Sequence, residues 1–309
     1  MKRVDQISLR QLRALDAVLT HGTISAAAQA MGLTGPAVHN QLKTLEEIIG
    51  SPLIYREGRQ RNSATPQGGV LSRANAELRA TLERAILNIN ALNSGHSGCV
   101  VIGAVSTAKY LAPRIIALLE SEFPGLELVL KIANRSDTIE ALSDRALDLC
   151  IMGRPPRHAL NNAVPLANHP HIIIAAPDHR LSGRDDVSVG ELLDERIILR
   201  EQGSGTRLLA TRFIEEIADG QELTTMEMDS NETIKQAVMN GLGIALISAH
   251  TVSEEVGSGR LVRLKVPGTP IIRKWYLIAP REFEPTQATK HVRAWLERNF
   301  AAHVPELQY

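Results

Sequence analysis

The stretch ISAAAQAMGLTGPAVHNQLK, residues 24–43, decides how the N-terminal part of the chain folds. Ala28 stands four residues before Gly32, where a side chain larger than methyl would hold two crossing helices apart, and Gly32 allows the turn a positive φ. Thr34 is placed to cap a second helix, and Pro36 falls in its first turn, where a missing N–H costs nothing. Val38, Leu42, Leu45 and Ile49 then recur at helical spacing, so one face packs and the other is free. This is the pattern of a helix-turn-helix. The free face carries Gly35, His39, Asn40 and Lys43, short or polar groups able to enter a major groove and meet base edges or phosphates, with Ser25, Thr34 and Pro36 at the two helix starts beside them. An ordinary helical hairpin shares the spacing, and the flanks distinguish the two.

Upstream, Ser8 and Gln11 form a capping box for a helix whose Leu12, Leu15 and Leu19 make an apolar stripe ending at His21-Gly22. Downstream, Ser51-Pro-Leu-Ile-Tyr-Arg56 and Asn62-Ser-Ala-Thr65 read as two short strands joined by a basic tip, 57–61, so Arg56, Arg59 and Arg61 are candidate phosphate contacts of a wing. The whole chain balances 34 basic against 34 acidic residues, so no global field draws it to nucleic acid. Residues 1–66 nevertheless hold eight basic against five acidic side chains, a modest basic module on a mildly acidic body. A winged helix-turn-helix over 1–66 is the expectation.

From Pro66 to Asn93 there is no internal proline, and Leu71, Leu78, Leu82, Ala85, Ile89 and Leu92 follow heptad steps. A linker and dimerisation helix over 67–95 is expected, with those six residues at the seam; one amphipathic helix lying on its own domain has a similar stripe. Asn93-Ser-Gly-His-Ser-Gly98 then marks a boundary.

From Cys99 onward, strand-like and helical runs alternate, which predicts an α/β domain of parallel sheets covered on both faces. A chain that crosses near Pro165–Pro170 and returns near Val266–Pro270 divides 96–309 into two lobes, 98–167 with 268–309 and 168–267. Ligands bind at the carboxyl ends of such strands. There, Ser106-Thr107 follows the first strand at a helix start, Asn134-Arg135 follows the second, and Met152 and Arg154 lie at the end of the third. Gly203-Ser204-Gly205-Thr206-Arg207 opens another helix, and Ser230-Asn231-Glu232-Thr233 a third. Hydroxyls, helix-start N–H groups and two arginines together suit a small anion, whereas each Ser, Thr or Asn taken singly is equally a plain N-cap.

Other features exclude rather than identify. With 309 residues and 44% hydrophobic content the chain can build two or three cores. The start MKRVDQISLRQL lacks an apolar signal region, and no run reaches the ~18 apolar residues of a membrane span, so a cytoplasmic protein with no membrane association is expected. Cys99 and Cys150 sit in apolar runs and read as buried free thiols. No metal site is expected, and His169 and His171, flanking Pro170, read as turn or crossover residues. A solute-binding protein has the same two-lobed body, but it needs an export signal and has no use for residues 1–66. No nucleophile elbow, zincin or complete phosphate-loop pattern supports an enzyme.

The run AAAQAMGLTGPAVHNQLKTLEEIIGSPLIYR followed by Thr65-Pro-Gln-Gly68 resembles the LysR-type transcriptional regulators, and the resemblance covers the whole chain. VSTAKYLAPRII, NRSDTIEALSDRALDLCIMGRPP, REQGSGTR, SNETIKQAV and GLGIALISAHTV are similar to the regulators of Calvin-cycle carbon-fixation operons within that family. The resemblance implies a winged helix-turn-helix, a linker helix and a two-lobed α/β effector domain of periplasmic-binding-protein type. It also implies double-stranded DNA bound at an interrupted palindrome, a homodimer that assembles further into a homotetramer, and RNA polymerase as a partner. No cofactor is implied; the effector is a small anionic metabolite such as ribulose 1,5-bisphosphate, another phosphorylated intermediate, or NADPH. Gly35 stands where the family often has Gln, and His39 where Ser is usual, departures that bear on the operator sequence and not on the mode of binding.

Overall fold

Ser8 opens the first helix, α1 (Leu9–His21), by the reciprocal bonds of a capping box: its Oγ accepts from Gln11 N–H at 3.3 Å and its own N–H donates to Gln11 Oε1 at 2.8 Å. Thr23 and Thr34 cap α2 (Ile24–Met31) and α3 (Gly35–Ile49) through their hydroxyls alone, accepting from Ala26 N–H and Ala37 N–H, and Gly22 and Gly32 end α1 and α2 in the left-handed region at φ 79° and 65°. Leu12, Leu15, Val18, Ala27, Ala28, Val38, Leu42 and Leu45 are buried together with Leu53 and Ile54, so the small residues do allow the three helices to meet. A two-stranded antiparallel sheet, β1 (Ile54–Tyr55) with β2 (Ser63–Ala64), completes the unit. This computed structural model describes residues 4–55, 61–156, 161–218, 220, 223–280 and 285–305. The expected wing tip with Arg56 and Arg59 lies outside them.

The chain divides into two units, Met1–Ala85 and Ile86–Tyr309, with the boundary inside α4 (Pro66–Asn93). In the first unit, Ser72 Oγ donates to Asp16 at 2.8 Å, Asn75 donates to the same carboxylate, and Leu71 packs on the helix-turn-helix core. Leu71, expected on the dimer seam, is partly buried against its own domain's core. Leu78 and Leu82 are 41% and 43% exposed, and Ala85, Ile86, Ile89 and Leu92 are exposed as well.

The second unit contains β3 (Cys99–Val105), α5 (Ala112–Glu122), β4 (Glu127–Ala133), α6 (Arg135–Ser143), β5 (Leu149–Met152), β6 (Asn161–Ala175), α7 (Val189–Leu193) and β7 (Ile197–Arg200), followed by α8 (Gly205–Ala218), β8 (Thr225–Met228), α9 (Asn231–Met239), β9 (Ala245–Ser248), α10 (Ser253–Gly257), β10 (Val262–Leu264), β11 (Ile271–Pro280) and α11 (Gln287–Asn299). Strand β3, CVVIGAV, is buried at every position, as a central parallel strand covered on both faces must be. In the second lobe, Ile172 and Ile174 enter one apolar cluster while Ile173 and Ala175 enter another, the period of two that buries both faces of β6.

The expectation of parallel sheets is corrected in one respect. β3 is parallel to β4 and β5, and β7 to β8, but β6, the longest strand, pairs antiparallel with β11, β9 and β10 in a mixed seven-stranded sheet. The reason is topological: β6 carries the chain out of the first lobe and β11 brings it back, and the two lie side by side. β6 runs from Asn161 to Ala175 and takes in Pro165 and Pro170, where the sequence places the crossing between lobes. Pro165 faces Tyr276 beside a register shift at Trp275/Tyr276, where a ladder tolerates a missing N–H. Cys99 and Cys150 are buried free thiols, and burial raises Cys150 to about 12. Among the described residues no helix is long and apolar enough to cross a membrane.

Candidate functional site

On α3, Pro36, His39, Asn40 and Lys43 are exposed and Gly35 is half-buried, while Val38, Leu42 and Leu45 turn inward. Ser25 is exposed at the start of α2. The Thr34 hydroxyl accepts from Ala37 N–H at 3.4 Å, so its first task is capping. Lys43 reaches Glu47 at 3.9 Å with both side chains 64% exposed, a pairing weak enough to exchange for a phosphate. Arg61 is held differently from expectation. Its side chain crosses Gly22 and donates to the Thr20 carbonyl at 2.5 Å, and Asn62 donates to the Gly22 carbonyl at 2.9 Å, so Arg61 fastens the base of the wing to α1. A methyl group on Gly22 would lie 2.3 Å from Arg61 Cγ.

The second site is a cavity of about 460 Å³ in the effector unit. It brings together Ser106, Thr107, Arg135, Arg154, Ser204, Gly205 and Thr206 of the expected set. The start of α8 lies here, with Ser204 and Thr206 buried, so first-turn N–H groups and the positive end of a 14-residue helix meet the cavity. Arg135 opens α6; burial and the nearby Arg154 charge lower its pKa, and its Nε is buried with no hydrogen-bond partner. Two cations crowded together in this way accept an anion readily. Ser106 and Thr107 begin a 3₁₀ turn, Ser106–Tyr110, and α5 starts only at Ala112, so that expected helix terminus is not at the cavity.

Six expected residues do not line it. Asn134 caps α6 by accepting from Asp137 N–H at 2.9 Å, and Met152 is wholly buried in the first lobe's core. Arg207 donates to the Arg200 carbonyl at 2.6 Å and pairs with Glu227. Asn231 accepts from buried Arg200. Glu232 takes hydrogen bonds from Tyr110 and Lys109, and Thr233 joins the cap around Ser230. The start of α9 thus holds the lobes against each other beside the cavity.

In their place the cavity takes His169, His171, Arg212, Arg273, Ile139 and Leu208. Both histidines are buried: His169 stacks on Trp275 with ring centroids 3.7 Å apart, and His171 lies 4.3 Å from His169. Burial depresses both pKa values, helped by neighbouring cationic or histidine groups, so the rings are neutral. A sequence clue existed in the alternation His169-Pro-His171, which a strand points to one face. Four arginines and no carboxylate line the cavity among the described residues.

Residues 9–69 match the bacterial regulatory helix-turn-helix proteins of the lysR family, and residues 93–301 the LysR substrate binding domain. The HTH-type transcriptional regulator CbbR of Cereibacter sphaeroides is 39% identical over 307 residues, 99% of each chain. The RuBisCO operon transcriptional regulator of Allochromatium vinosum is 37% identical over 276 residues, 89% of this chain and 90% of that one. Among solved structures, the Synechocystis PCC6803 CcmR regulatory domain in complex with 2-PG superposes with a TM-score of 0.60 at 30% identity, over 64% of this chain and 95% of its own.

Proposed function

The chain belongs to the LysR family of bacterial regulatory helix-turn-helix proteins, and from that premise we propose that it regulates a CO2-fixation operon in response to a small phosphorylated anion held in the effector cavity. In this reading α3 enters the major groove, with His39 and Asn40 meeting base edges, Lys43 meeting phosphate, and Ser25, Thr34, Gly35 and Pro36 lying along the backbone. Leu78, Leu82, Ala85, Ile89 and Leu92 join two copies along α4, so that two recognition helices read an interrupted palindrome at a promoter served by RNA polymerase.

The observation that carries the effector reading is the cavity lining: four arginines, the start of α8 and no carboxylate among the described residues. A charge-assisted hydrogen bond contributes about 1.5–3 kcal/mol and a helix terminus about 0.3–1 kcal/mol, so a few such contacts sustain micromolar binding. The test is a thermal-shift and calorimetry series with 2-PG, ribulose 1,5-bisphosphate and NADPH. A ligand at 100 times its Kd stabilises the fold by about 2.7 kcal/mol. Arg135→Ala and Thr206→Ala should lose that gain while operator affinity holds. Heat from neutral or cationic compounds alone overturns the anion reading.

A further inference from the structure

His171 differs from the arginines and rotatable hydroxyls of the cavity in that one ring nitrogen presents a fixed lone pair. Its Nδ1 lies 3.1 Å from the His169 carbonyl oxygen, which can only accept, so Nδ1 carries the hydrogen and, in the neutral ring, Nε2 is bare. The side chain is 4% exposed, and it lines the cavity. A phosphate or carboxylate brings acceptors only, and an acceptor set against a lone pair is repelled unless a proton lies between them.

We propose that His171 is a ligand-contacting residue and that a dianion enters this cavity together with one proton, which bonds to His171 Nε2 and turns the ring into a donor towards the anion. The inference rests on the cavity being the effector site. One proton leaves the buffer, one N–H bond forms, and no electrons are exchanged.

The surroundings explain why the ring waits for the anion. His169 adjoins it on β6, and Ser248 of β9, its cross-strand neighbour, shares a 2.9 Å hydrogen bond with His169 Nε2. Arg273 projects from β11, where Trp275 stacks on His169 and donates to His250 Nδ1 at 3.3 Å. Arg135, Arg154 and Arg212 complete the cavity wall. Among the described residues every titratable group lining the cavity is cationic or neutral, and burial with the nearby Arg273 charge holds empty His171 down to about 3. An incoming dianion offsets that field and supplies the acceptor a protonated ring needs. His169 is placed differently: its Nε2 is taken by Ser248, and its Nδ1 is pressed against Gly153, where the site of a Cβ is 2.8 Å away.

The test is calorimetry of the full chain with 2-PG in buffers of differing ionisation enthalpy. The heat should vary with buffer towards uptake of one proton, and affinity should fall about tenfold per pH unit above neutrality. In His171→Gln the amide stands near the Nε2 position as a donor that does not titrate, so binding should persist with buffer-independent heat. His171→Asn keeps only the Nδ1-side donor and should bind about tenfold more weakly. Imidazole nitrogen resonances of the parent protein give a reading independent of variant folding: His171 Nε2 should move to the imidazolium position on saturation. Binding that Arg135→Ala abolishes but that is buffer-independent in the parent overturns proton uptake and leaves the effector site standing. Uptake that persists in folded His171→Gln assigns the proton to the ligand and also overturns it. No binding of 2-PG, ribulose 1,5-bisphosphate or NADPH overturns both readings.

Discussion

Arg200 of the second lobe donates from Nη2 to Ser106 Oγ of the first at 3.3 Å, bridging the two lobes at the rim of the cavity. The guanidinium is 3% exposed and also donates to Glu201 at 2.6 Å and 2.9 Å and to the side-chain Oδ1 of Asn231. Arg200→Ala strands these acceptors and should cost about 3 kcal/mol of stability by urea titration, whereas Ser106→Ala should cost under about 1 kcal/mol. Equal small losses in both would mean that the bridge is incidental.

The recognition face predicts two kinds of defect. Lys43→Ala should weaken binding to every DNA sequence and reduce the salt slope by about one, while His39→Ala should change which bases are preferred. Anisotropy titrations on operator and scrambled DNA across a salt series separate the two. Equal losses for the His39 variant on both DNAs would remove it from base reading.

The apolar row of α4 predicts assembly. Leu78→Glu with Leu82→Glu buries unpaired carboxylates in a dimer seam, at a cost of several kcal/mol, and should yield a monomer with greatly reduced affinity for the full palindrome. Leu71→Ala should instead lower the stability of the helix-turn-helix domain without dissociating the assembly, because Leu71 packs on that core. Sedimentation checks both.

Acid should unfold the chain by a specific route. Burial holds His169 well below the ordinary 6.5, His171 at about 3 and His250 at about 4. The unfolded chain binds these protons and the native one does not, so the stability is fully present above pH 6.5 and declines as pH falls from there towards 4 and 3. Melting temperatures in the absence of anion should be level near neutrality and fall below about pH 6.5. A midpoint that stays level to pH 5 would count against neutral histidines.

Local signals were legible and cross-strand ones were not. The Ser8–Gln11 box, the cap at Thr34 and the left-handed glycines act within a few residues, so sequence spacing alone exposes them, whereas the cap at Thr23 comes from the structure. The helix 66–93 likewise shows its ends and its apolar row. His169 and His171 read as turn or crossover residues because Pro170 lies between them; the crossover is right, but only β11 lying alongside makes it a strand. Arg273 reaches the cavity from the far end of the chain, and Arg212 lies about two turns into α8, so neither announces itself at a helix start. Glu232 and Thr233 fit the helix-start pattern, yet the pull of Lys109 and Tyr110 turns that terminus to another task.

His171 is paired on both sides, with Ile271 of β11 and with Ser248 of β9, at the point where β6 passes from one lobe's partners to the other's. The lobes are thus joined by a continuous hydrogen-bonded ribbon in place of two slack cords, and a ring on its pivot residue lines the cavity. A ligand touching that residue would touch the ribbon itself and not a loop beside it. The measurable consequence is amide exchange: the β6 amides around His171 should exchange more slowly with the cavity filled than with it empty.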